Sequence, residues 1–307
     1  MKRDELPIKF SALKTRFIVN PRSGRAARAL DRVRAHAAAN AAEVILTTHP
    51  RHAAELAANA VGEDCELIVA VGGDGTLNEI ASVLVGTPAT LGLVPCGSGD
   101  GLGRHLGIHG SVEHALGILR SGRPSLIDSG IADGHPFFTA AGIGFEAEVS
   151  TQFNRLTNRG FLRYLLTSER LWRGYVPQDY HIEHHHERVT VRAFTLVVAN
   201  SDQYGNGAFI AAGAKVDDGQ LDLTAVPPVT PWNGPALLTR LFAGSLREAS
   251  GVIQIRSDRF VVERDSSGPL HTDGEVHQAG RRIEFRVRPK SLRIMVPDIE
   301  PRSLNRS

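Results

Sequence analysis

The five residues Gly72-Gly73-Asp74-Gly75-Thr76 are the part of this chain whose types and spacing best suit phosphate chemistry. They directly follow the apolar run Leu67–Val71, which predicts a buried strand, and residues 77–85 after them predict a helix. Glycines at a strand end let backbone amides approach a ligand closely, and a helix N-terminus favours an anion. The Asp74 carboxylate cannot itself hold a phosphate, but it could hold a magnesium ion that does, or orient a hydroxyl. The alternative is a strand-turn-helix corner whose glycines only make the turn.

Two further glycine-bearing loops follow predicted strands in the same part of the chain. Asn20-Pro21-Arg22-Ser23-Gly24 follows one strand, and residues 95–101, PCGSGDG, follow another. In an open α/β sheet, ligands bind at the carboxyl ends of the strands, so three such loops could line one cleft. Their small residues, hydroxyls and amides suit a nucleotide. Three loops at one edge favour a nucleotide site over simple turns.

Alternating strands and helices position these loops. Strands are predicted at 16–20, 43–48, 67–71 and 90–95, and helices at 24–40, 51–61, 76–85 and 111–121. This alternation predicts parallel pairing with helices on the faces of the sheet. From about residue 125, β-rich stretches dominate, at 125–132, 136–142, 190–199, 220–226, 259–263 and 281–287, interrupted by helical segments only around 145–174 and 234–251. We therefore predict an α/β domain followed by a mostly antiparallel β domain.

Composition excludes several function classes. The 307 residues carry a formal net charge of +2, so the chain lacks the global basic field typical of nucleic-acid binding, and we expect no nucleic-acid partner. Cys65 and Cys96 match neither a metal-binding spacing nor a disulfide framework, which favours a reducing compartment. No run approaches the roughly 20 apolar residues of a membrane span. We expect a cytoplasmic protein with, at most, peripheral contact at the inner face of the membrane.

The full set of motifs resembles one family, the diacylglycerol kinase-type lipid kinases, which include bacterial soluble lipid kinases and relatives of sphingosine kinase. The Gly-Gly-Asp-Gly element alone is also found in NAD kinases and phosphofructokinases, but the complete series in this order is specific. The matching segments are residues 20–24, 72–79, 95–106 (PCGSGDGLGRHL), 142–147 (GIGFEA), 199–201 (ANS), 215–222 and 273–275 (DGE).

The resemblance implies a Rossmann-like, three-layer α/β nucleotide domain and a C-terminal antiparallel β-sandwich, with ATP in the cleft between them. In this family the last strands return to the first domain, and residues 291–296 would be that return. The expected domains are residues 1–124 with 288–307, which would bind ATP, and residues 125–287, which would bind the lipid substrate.

The resemblance also assigns roles to individual residues. It implies ATP contacts for a group of residues in or near the three loops, which are Asn20, Pro21, Arg22, Ser23, Gly24, Thr47, Gly72, Gly73, Asp74, Gly75, Thr76 and Ser98. Gly72 to Thr76 would hold the phosphates. Thr47 stands at the end of the second predicted strand, where an ordinary strand-end residue is the alternative.

Asp273, Glu275 and Asp74 are the expected catalytic residues, since the first two match an acidic pair that relatives use near the transferred phosphate. Phosphoryl transfer needs positioning, magnesium and a group that accepts the hydroxyl proton. A carboxylate, with an ordinary pKa near ~4, accepts that proton late in the transfer. Asp273 is the first choice as base, and Glu275 could orient it or bind magnesium. The alternative is a plain hairpin turn, because Asp-Gly favours type I′ geometry.

A structural magnesium ion is implied at residues 215–220, KVDDGQ, with the Asp218 carboxylate and the main-chain carbonyls of Lys215 and Gln220 as ligands. Oxygen ligands suit such a hard cation, but an Asp-Gly turn between strands is again the alternative. The run His184-His185-His186 also invites a metal interpretation. Because consecutive strand residues point in opposite directions, a solvated hairpin tip is the better prediction there.

The chain departs from the family at Asp100, where many relatives have asparagine. An extra negative charge near ATP phosphates is unfavourable unless magnesium or an arginine such as Arg104 offsets it. A lesser departure is Ala212, where many relatives have proline. The apolar stretch 161–175, with Phe145 and Phe153, is the best candidate for contact with lipid, although it equally suits a core-facing helix with outward arginines.

The expected activity is therefore ATP- and magnesium-dependent phosphorylation of a lipid hydroxyl, by an enzyme that could be a homodimer. Two alternatives stay open at this point. One is a kinase of a soluble acceptor, resembling NAD kinase. The other is a regulator that binds nucleotide or lipid and has lost catalysis. The acids Asp74, Asp273 and Glu275 argue against the second alternative.

Overall fold

In a computed structural model of the chain, the structure describes residues 13–97, 99–154 and 161–298, without the side chains of 153–154 and 161–165. The chain folds into two compact units. The first unit is Met1–Ile127 with Ser291–Ser307, and the second is Asp128–Lys290. Two long strands, β5 (Arg123–Ala132) and β16 (Arg282–Val296), each contain residues of both units.

The first unit is an α/β structure. In chain order its elements are β1 (Thr15–Val19), α1 (Ala26–Ala39), β2 (Glu43–Leu46), α2 (His52–Gly62), β3 (Leu67–Gly72), α3 (Asp74–Leu84), β4 (Thr90–Pro95), α4 (Gly101–His105) and α5 (Val112–Ser121). The strand order is β2-β1-β3-β4, and Arg293 and Ile294 of β16 pair with β4. All of these pairings are parallel, as the alternation of elements predicts.

Burial explains why these residues form a parallel sheet. Every residue of β3 is buried, and so is every residue of β1, which is typical of strands covered by helices on both faces. Helix α1 buries Ala26, Ala29, Val33 and Ala37 at helical spacing. Helix α3 starts at Asp74, so the second glycine loop consists of little more than Gly72 and Gly73.

The second unit is rich in antiparallel strands. Its elements are β6 (His135–Phe137), β7 (Ala140–Gly144), α6 (Phe145–Asn154), α7 (Phe161–Trp172), β8 (Gln178–His184), β9 (Glu187–Ala193), β10 (Thr195–Ala199), β11 (Leu221–Val226), α8 (Gly234–Ala243), a 3-10 turn (Leu246–Glu248), β12 (Ile253–Ser257), β13 (Arg259–Arg264), β14 (Gly268–Thr272) and β15 (Glu275–Ala279). One sheet has the order β12-β11-β10-β7-β14-β15, and in the other β13 pairs with β16 and β8, and β8 with β9.

A sandwich core lies between these two sheets. Ile143, Leu196 and Leu270 from the first sheet form one buried cluster with Tyr180 and Phe260 from the second. On its other face the six-stranded sheet carries a smaller cluster, in which Val197 and Ala199 meet Ile210, Leu237 and Leu246. The predicted β-sandwich is therefore confirmed.

Several element boundaries differ from the sequence-based prediction. Residues 136–142 and 190–199 each contain two strands rather than one. Strands β12, β14 and β15 and the short helix α4 were not predicted, and β8 was expected only as one arm of the hairpin around residues 184–186. Strand β8 reads QDYHIEH, and only Tyr180 and Ile182 face the core, so its apolar signal is weak. Pairing with β13 and β9 on either side makes this polar segment a strand.

A fully buried carboxylate, Asp128, ties three segments of the second unit together. Its Oδ2 accepts the Gly219 N–H at 2.7 Å and its Oδ1 accepts the Lys290 N–H at 2.7 Å. The Asn200 side-chain amide donates to the Asp128 carbonyl at 3.1 Å. Charged acceptors of this kind satisfy backbone donors that would be costly to leave unpaired. Asp128 therefore fixes the loop at 215–220 and the end of the second unit.

We expect Asp128→Asn to lower the free energy of unfolding by about 2 kcal/mol, because the introduced NH2 group cannot accept the second amide. Urea unfolding followed by circular dichroism measures this. The matched control is Asp217→Asn, which changes an exposed aspartate in the neighbouring loop and should shift stability by less than about 0.5 kcal/mol. Equal effects of the two substitutions would contradict the assignment.

Candidate active site

The first glycine loop lies at the carboxyl edge of the sheet in the first unit. Asn20 follows β1, and its side-chain amide donates to Thr76 Oγ1 at 3.1 Å, while its Oδ1 accepts the Arg22 N–H at 3.1 Å. Thr47 follows the adjacent strand β2, and its N–H donates to the Val19 carbonyl at 2.8 Å. The structure therefore brings Asn20, Thr47 and Thr76 to one edge of the sheet, and their contact with a nucleotide stays a prediction.

Glycines allow the three loops to touch. A Cβ at Gly73 would lie 3.0 Å from Ser23 Oγ and 3.2 Å from Gly97 Cα, so all three loops meet at this residue. A Cβ at Gly97 would lie 2.8 Å from Gly73 Cα, and one at Gly24, whose φ is +46°, would lie 2.0 Å from the Cys96 carbonyl oxygen. Side chains at these positions would push the loops apart, so the three loops can lie this close only because these positions are glycine.

Asp74 joins the second loop to the third. Its Oδ2 accepts the Asp100 N–H at 3.1 Å and its Oδ1 accepts the Gly101 N–H at 3.2 Å, at the start of α4. A Cβ at Gly99 would lie 2.6 Å from the same Oδ2. Part of the acceptor capacity of this carboxylate is thus used to hold the loop at 97–101. The predicted catalytic role of Asp74 stays a prediction beside this structural one.

The third loop carries two titratable groups with raised pKa values, the half-buried Asp100 carboxyl and the buried Cys96 thiol. Burial raises the pKa of the Asp100 carboxyl above its ordinary value, against the opposing effects of the Gly97 N–H and of the Arg104 and Arg25 charges. Arg104 is held nearby, since its Nε donates to the Gly99 carbonyl at 3.1 Å. Burial also raises the pKa of the Cys96 thiol to about 11, so this thiol is neutral at physiological pH. Ser98 lies outside the described residues.

Only a small cavity lies beneath the loops. It measures about 10 Å³ and is lined by residues that include Gly72, Asp74, Pro95 and Asp100, so it can hold about one water molecule. A phosphate chain would therefore bind on the outer side of the loops. The Arg22 side chain is exposed there and has no partner among the residues that the structure describes. The glycine surface and this cation suit a polyanionic ligand such as ATP.

We expect Asp100→Asn to raise the melting temperature at pH 7 and to leave it little changed near pH 3.8. The raised pKa means that the folded state prefers protonated Asp100, so stability is lost as pH rises from about 3.8 through the folded-state pKa. Asparagine keeps an acceptor for the Gly97 N–H without this cost. Thermal denaturation of both proteins across pH 3.5–8 measures the difference, and a pH-independent difference would contradict the assignment.

In the second unit, Asp273 and Gly274 form the two-residue turn between β14 and β15. Thr272 pairs with Glu275 across the hairpin, and the φ values are 50° at Asp273 and 85° at Gly274. Two consecutive positive φ angles are the type I′ geometry that Asp-Gly sequences favour. The turn predicted as the alternative interpretation is therefore present, whatever chemical role its side chains have.

The Asp273 carboxylate accepts three backbone N–H groups from the segment between β6 and β7. Phe138 donates to Oδ2 at 2.8 Å, and Thr139 and Ala140 donate to Oδ1 at 2.9 and 3.0 Å. Asn200 fixes the same segment, since its side-chain amide also donates to the Phe138 carbonyl at 3.0 Å. The Asp273 carboxylate therefore holds this segment in place through three backbone hydrogen bonds.

Glu275 has a different environment, although it is only two residues away. It is exposed at the start of β15, an edge strand, and it has no polar partner among the described residues. The two acids therefore differ: the Asp273 carboxylate binds backbone amides, whereas the Glu275 carboxylate is exposed. The assignment of Asp273 as base and Glu275 as its helper stays a prediction.

The predicted magnesium segment already contains a positive charge. Arg256 on β12 lies 3.0 Å from Asp222 Oδ1 and 3.7 Å from Asp218 Oδ2, and it also donates to the Gly213 carbonyl at 3.5 Å. Asp218 Oδ1 accepts the Gln220 N–H at 3.1 Å. A divalent cation at Asp218 would compete with this guanidinium for the same oxygens. The oxygen ligands are thus of the right kind, but the local charge does not fit a divalent ion, and Lys215, Asp218 and Gln220 stay predicted ligands only.

We expect Mg²⁺ to raise the melting temperature of the nucleotide-free Arg256→Gln variant more than that of the unmodified protein, because the substitution leaves the two carboxylates without a counter-ion. Differential scanning fluorimetry at constant ionic strength measures this. Arg247→Gln, which changes an exposed arginine of the same unit, is the control. Equal stabilisation of all three proteins would contradict the competition and would favour the predicted cation site.

Two groups of polar residues were missed or left without a role by the sequence analysis. Asp128 gave no signal because it stands alone in a strand, and Asn200 was recognised only as part of a motif. Glu146 at the start of α6 was likewise only part of a motif. In the structure it meets the buried His271 at 3.3 Å and accepts a short hydrogen bond from Tyr204. These contacts join residues that are far apart in sequence.

Histidine clusters do not add a metal site. His184 pairs with Glu187 across the β8–β9 hairpin, and His185 and His186 form its turn, as predicted. Among the described residues one other group, His49, His52 and Glu55, has suitable ligand types within reach of one another. However, His52 Nδ1 accepts the Thr48 N–H at 3.0 Å, which places the ring proton on Nε2 and leaves no ring nitrogen for a cation.

The described helices include none that is both long enough and apolar enough to cross a membrane. An open cavity of about 320 Å³ does lie in the second unit, where Trp172, Tyr175, Phe194 and Val229 contribute to its lining. Phe145 stacks on Phe194, with ring centroids 4.2 Å apart. Part of the stretch predicted to meet lipid therefore surrounds an aromatic cavity, whereas Phe153 is among the side chains that the structure does not describe.

Comparisons with known proteins agree with these features. Residues 14–132 match the model of the diacylglycerol kinase catalytic domain, and residues 139–296 match the YegS C-terminal NAD kinase beta sandwich-like domain. A Pseudomonas aeruginosa protein named "Probable lipid kinase YegS-like" is 30% identical over 76% of this chain and 78% of its own length. A Synechocystis protein without an assigned function is 28% identical over 77% of this chain, but the match spans only 56% of that protein.

Solved structures share the fold. The structure of a diacylglycerol kinase from Bacillus anthracis superposes with a TM-score of 0.71 at 17% identity, covering 92% of this chain and 96% of that one. An NAD kinase from Archaeoglobus fulgidus in complex with ATP superposes with a TM-score of 0.55 at 15% identity, covering 92% and 93%. At these identities the structures support the fold alone.

Proposed function

The chain belongs to the family of YegS-like, diacylglycerol kinase-type lipid kinases, and from this premise we propose that it transfers the γ-phosphoryl group of ATP to a hydroxyl group of a lipid. The products would be a phospholipid and ADP. Diacylglycerol, a sphingoid base or a related lipid alcohol would each present a hydroxyl beside an apolar chain. The chain is a kinase, and the proposal adds its donor, its acceptor class and the residues involved.

The contact of three glycine loops at one sheet edge is the observation that carries this proposal. A Cβ at Gly24, Gly73 or Gly97 would collide with a neighbouring loop, so glycine allows the three loops to come together at the edge where the phosphates of ATP would bind. Asn20, Thr47 and Thr76 border the same edge, and Arg22 supplies positive charge. Mg²⁺ bound with ATP would supply charge neutralisation of the phosphates.

In the second unit we assign the acceptor side of the reaction to Asp273 and Glu275. One carboxylate of this pair would accept the hydroxyl proton as the phosphoryl group transfers. The aromatic cavity lined by Trp172, Tyr175 and Phe194 is the proposed site for the apolar part of the substrate. The lining of this cavity is mostly apolar and aromatic and also includes Arg173. This combination suits a lipid with a polar head.

We expect Asp273→Asn to lower kcat by about 100-fold or more while ATP affinity changes by only a few-fold, since the carboxylate serves the acceptor and not the nucleotide. Glu275→Gln should also lower kcat. Labelled-ATP transfer to lipid vesicles and calorimetric titration with ATP measure the two quantities. Asp265→Asn, an exposed aspartate of the same unit, is the matched control and should keep full activity.

The melting temperatures of these variants separate catalysis from folding, because Asp273 also holds residues 138–140. If Asp273→Asn keeps turnover, this residue has no part in the chemistry. If it loses turnover together with cooperative unfolding, while Glu275→Gln loses turnover alone, Glu275 is the base. A panel of lipid alcohols together with soluble acceptors, including NAD, identifies the substrate. Transfer only to a soluble acceptor would overturn the lipid assignment.

A further inference from the structure

The loop before α8 and the outer side of α8 expose large apolar side chains. Trp232 is 92% exposed, Leu238 53% and Phe242 43%. These three, here called the α8 face, are half of the exposed large hydrophobic residues in the part of the chain that the structure describes. A nearly fully exposed tryptophan is unusual on a protein surface without a binding role.

The α8 face is not needed for the core. Leu237 and Leu241 are the residues of this helix that pack against Val197, Ile210 and Leu246 beneath it. Leu238 and Phe242 are four residues apart, so they share a second side of the helix. One apolar stripe on α8 is enough to pack the helix against the core. The second stripe, formed by Leu238 and Phe242, faces away from that core.

The loop that carries Trp232 is held by its own hydrogen bonds. The Thr230 N–H donates to Asn233 Oδ1 at 2.8 Å, and the Asn233 side-chain amide donates to the Pro228 carbonyl at 3.0 Å. Trp172 Nε1 donates to the Val229 carbonyl at 3.1 Å, which joins this loop to the end of α7. Trp232 is thus presented from an ordered loop, and little conformational entropy is lost when it binds a partner.

The charged residues next to the face are mainly arginines. No aspartate or glutamate occurs from residue 223 to residue 247, whereas Arg240 and Arg247 do. Arg240 pairs with Glu248 at 3.1 Å, and Arg247 is exposed with no partner among the described residues. Glu248 offsets the charge of Arg240, so Arg247 is the arginine here whose charge is available to an anion. Exposed apolar side chains beside such an arginine complement a bilayer surface, which has anionic headgroups over an apolar interior.

We propose that the α8 face docks on a lipid bilayer containing anionic phospholipids, with Trp232, Leu238 and Phe242 at the boundary between headgroups and acyl chains. Tryptophan prefers this boundary because its ring is apolar and its N–H is polar. A second copy of this chain suits the face less well. A two-fold contact would bring the Arg247 side chains of both copies into one interface, where their like charges repel.

This inference goes beyond the proposed function, and its test needs neither ATP nor turnover. Flotation of the full chain with vesicles of phosphatidylcholine and phosphatidylglycerol measures binding. We expect the triple variant W232S/L238S/F242S to bind these vesicles at least about tenfold more weakly. Pure phosphatidylcholine vesicles and raised salt should also weaken binding of the unmodified protein. Leu126→Ser, which changes an exposed leucine elsewhere, is the matched control and should bind normally.

Fluorescence locates the contact, because Trp172 and Trp232 are the two tryptophans of the chain. Vesicles with brominated acyl chains should quench the unmodified protein much more strongly than Trp232→Phe, which retains Trp172, keeps an aromatic side chain at 232 and should still bind. Trp232→Ser alone replaces the triple variant if that protein does not fold. Unchanged binding of the serine variants would overturn the proposal. The proposal would also be overturned if the unmodified protein does not bind vesicles but forms concentration-dependent dimers that the serine variants do not form. That result would assign the face to a second copy of the chain.

If the unmodified protein binds vesicles but phosphorylates no lipid, this result contradicts the proposed function and leaves the docking surface in place. Conversely, turnover of a short-chain, water-soluble lipid by W232S/L238S/F242S, with activity on vesicles reduced, would support both.

Discussion

The structure depends on carboxylates that accept backbone N–H groups from distant segments. Asp128 binds the amides of Gly219 and Lys290, Asp273 binds those of residues 138–140, and Asp74 binds those of Asp100 and Gly101. Loops cannot satisfy their own donors as helices and sheets do, and an unpaired buried donor is costly. An ionised acceptor with two oxygens solves this problem at a single position. Asp128 and Asp74 thereby fix loops that bear predicted site residues, and Asp273, itself a predicted site residue, fixes the segment at 138–140.

These carboxylates connect motifs that look independent in the sequence. Asn200 donates to the carbonyls of both Phe138 and Asp128, so it joins the segment held by Asp273 to the segment held by Asp128. The ANS motif, the loop at 215–220 and the DGE turn are consequently parts of one hydrogen-bonded network in the second unit. A substitution in this network changes the geometry of the others, so loss of activity alone does not assign a residue to the chemistry.

The parallel sheet and its three loops were predictable because local patterns determine them. Apolar runs followed by glycine mark strand ends, and parallel topology brings those ends to one edge. The contacts of Asp273 were not predictable, since its amide donors are about 135 residues away and depend on the register of β14 against β7. The extent of strand β8 was hard to predict for a related reason, because its polar sequence QDYHIEH becomes a full strand only through its neighbours. The resemblance to the family singled out the acids, and tertiary pairing gives Asp74 and Asp273 a structural role that the sequence did not show.

This double use of carboxylates bears on which residue can act as base. A carboxylate that accepts several amides is well oriented, and the same donors lower its affinity for a proton. Asp273 is held in this way by three amides, whereas Glu275 is exposed on an edge strand. In phosphoryl transfer most of the barrier reduction comes from positioning and charge stabilisation, so the orientation of the acid matters more than its basicity. Of the two proposed acids, Asp273 is therefore the better oriented and Glu275 the more exposed.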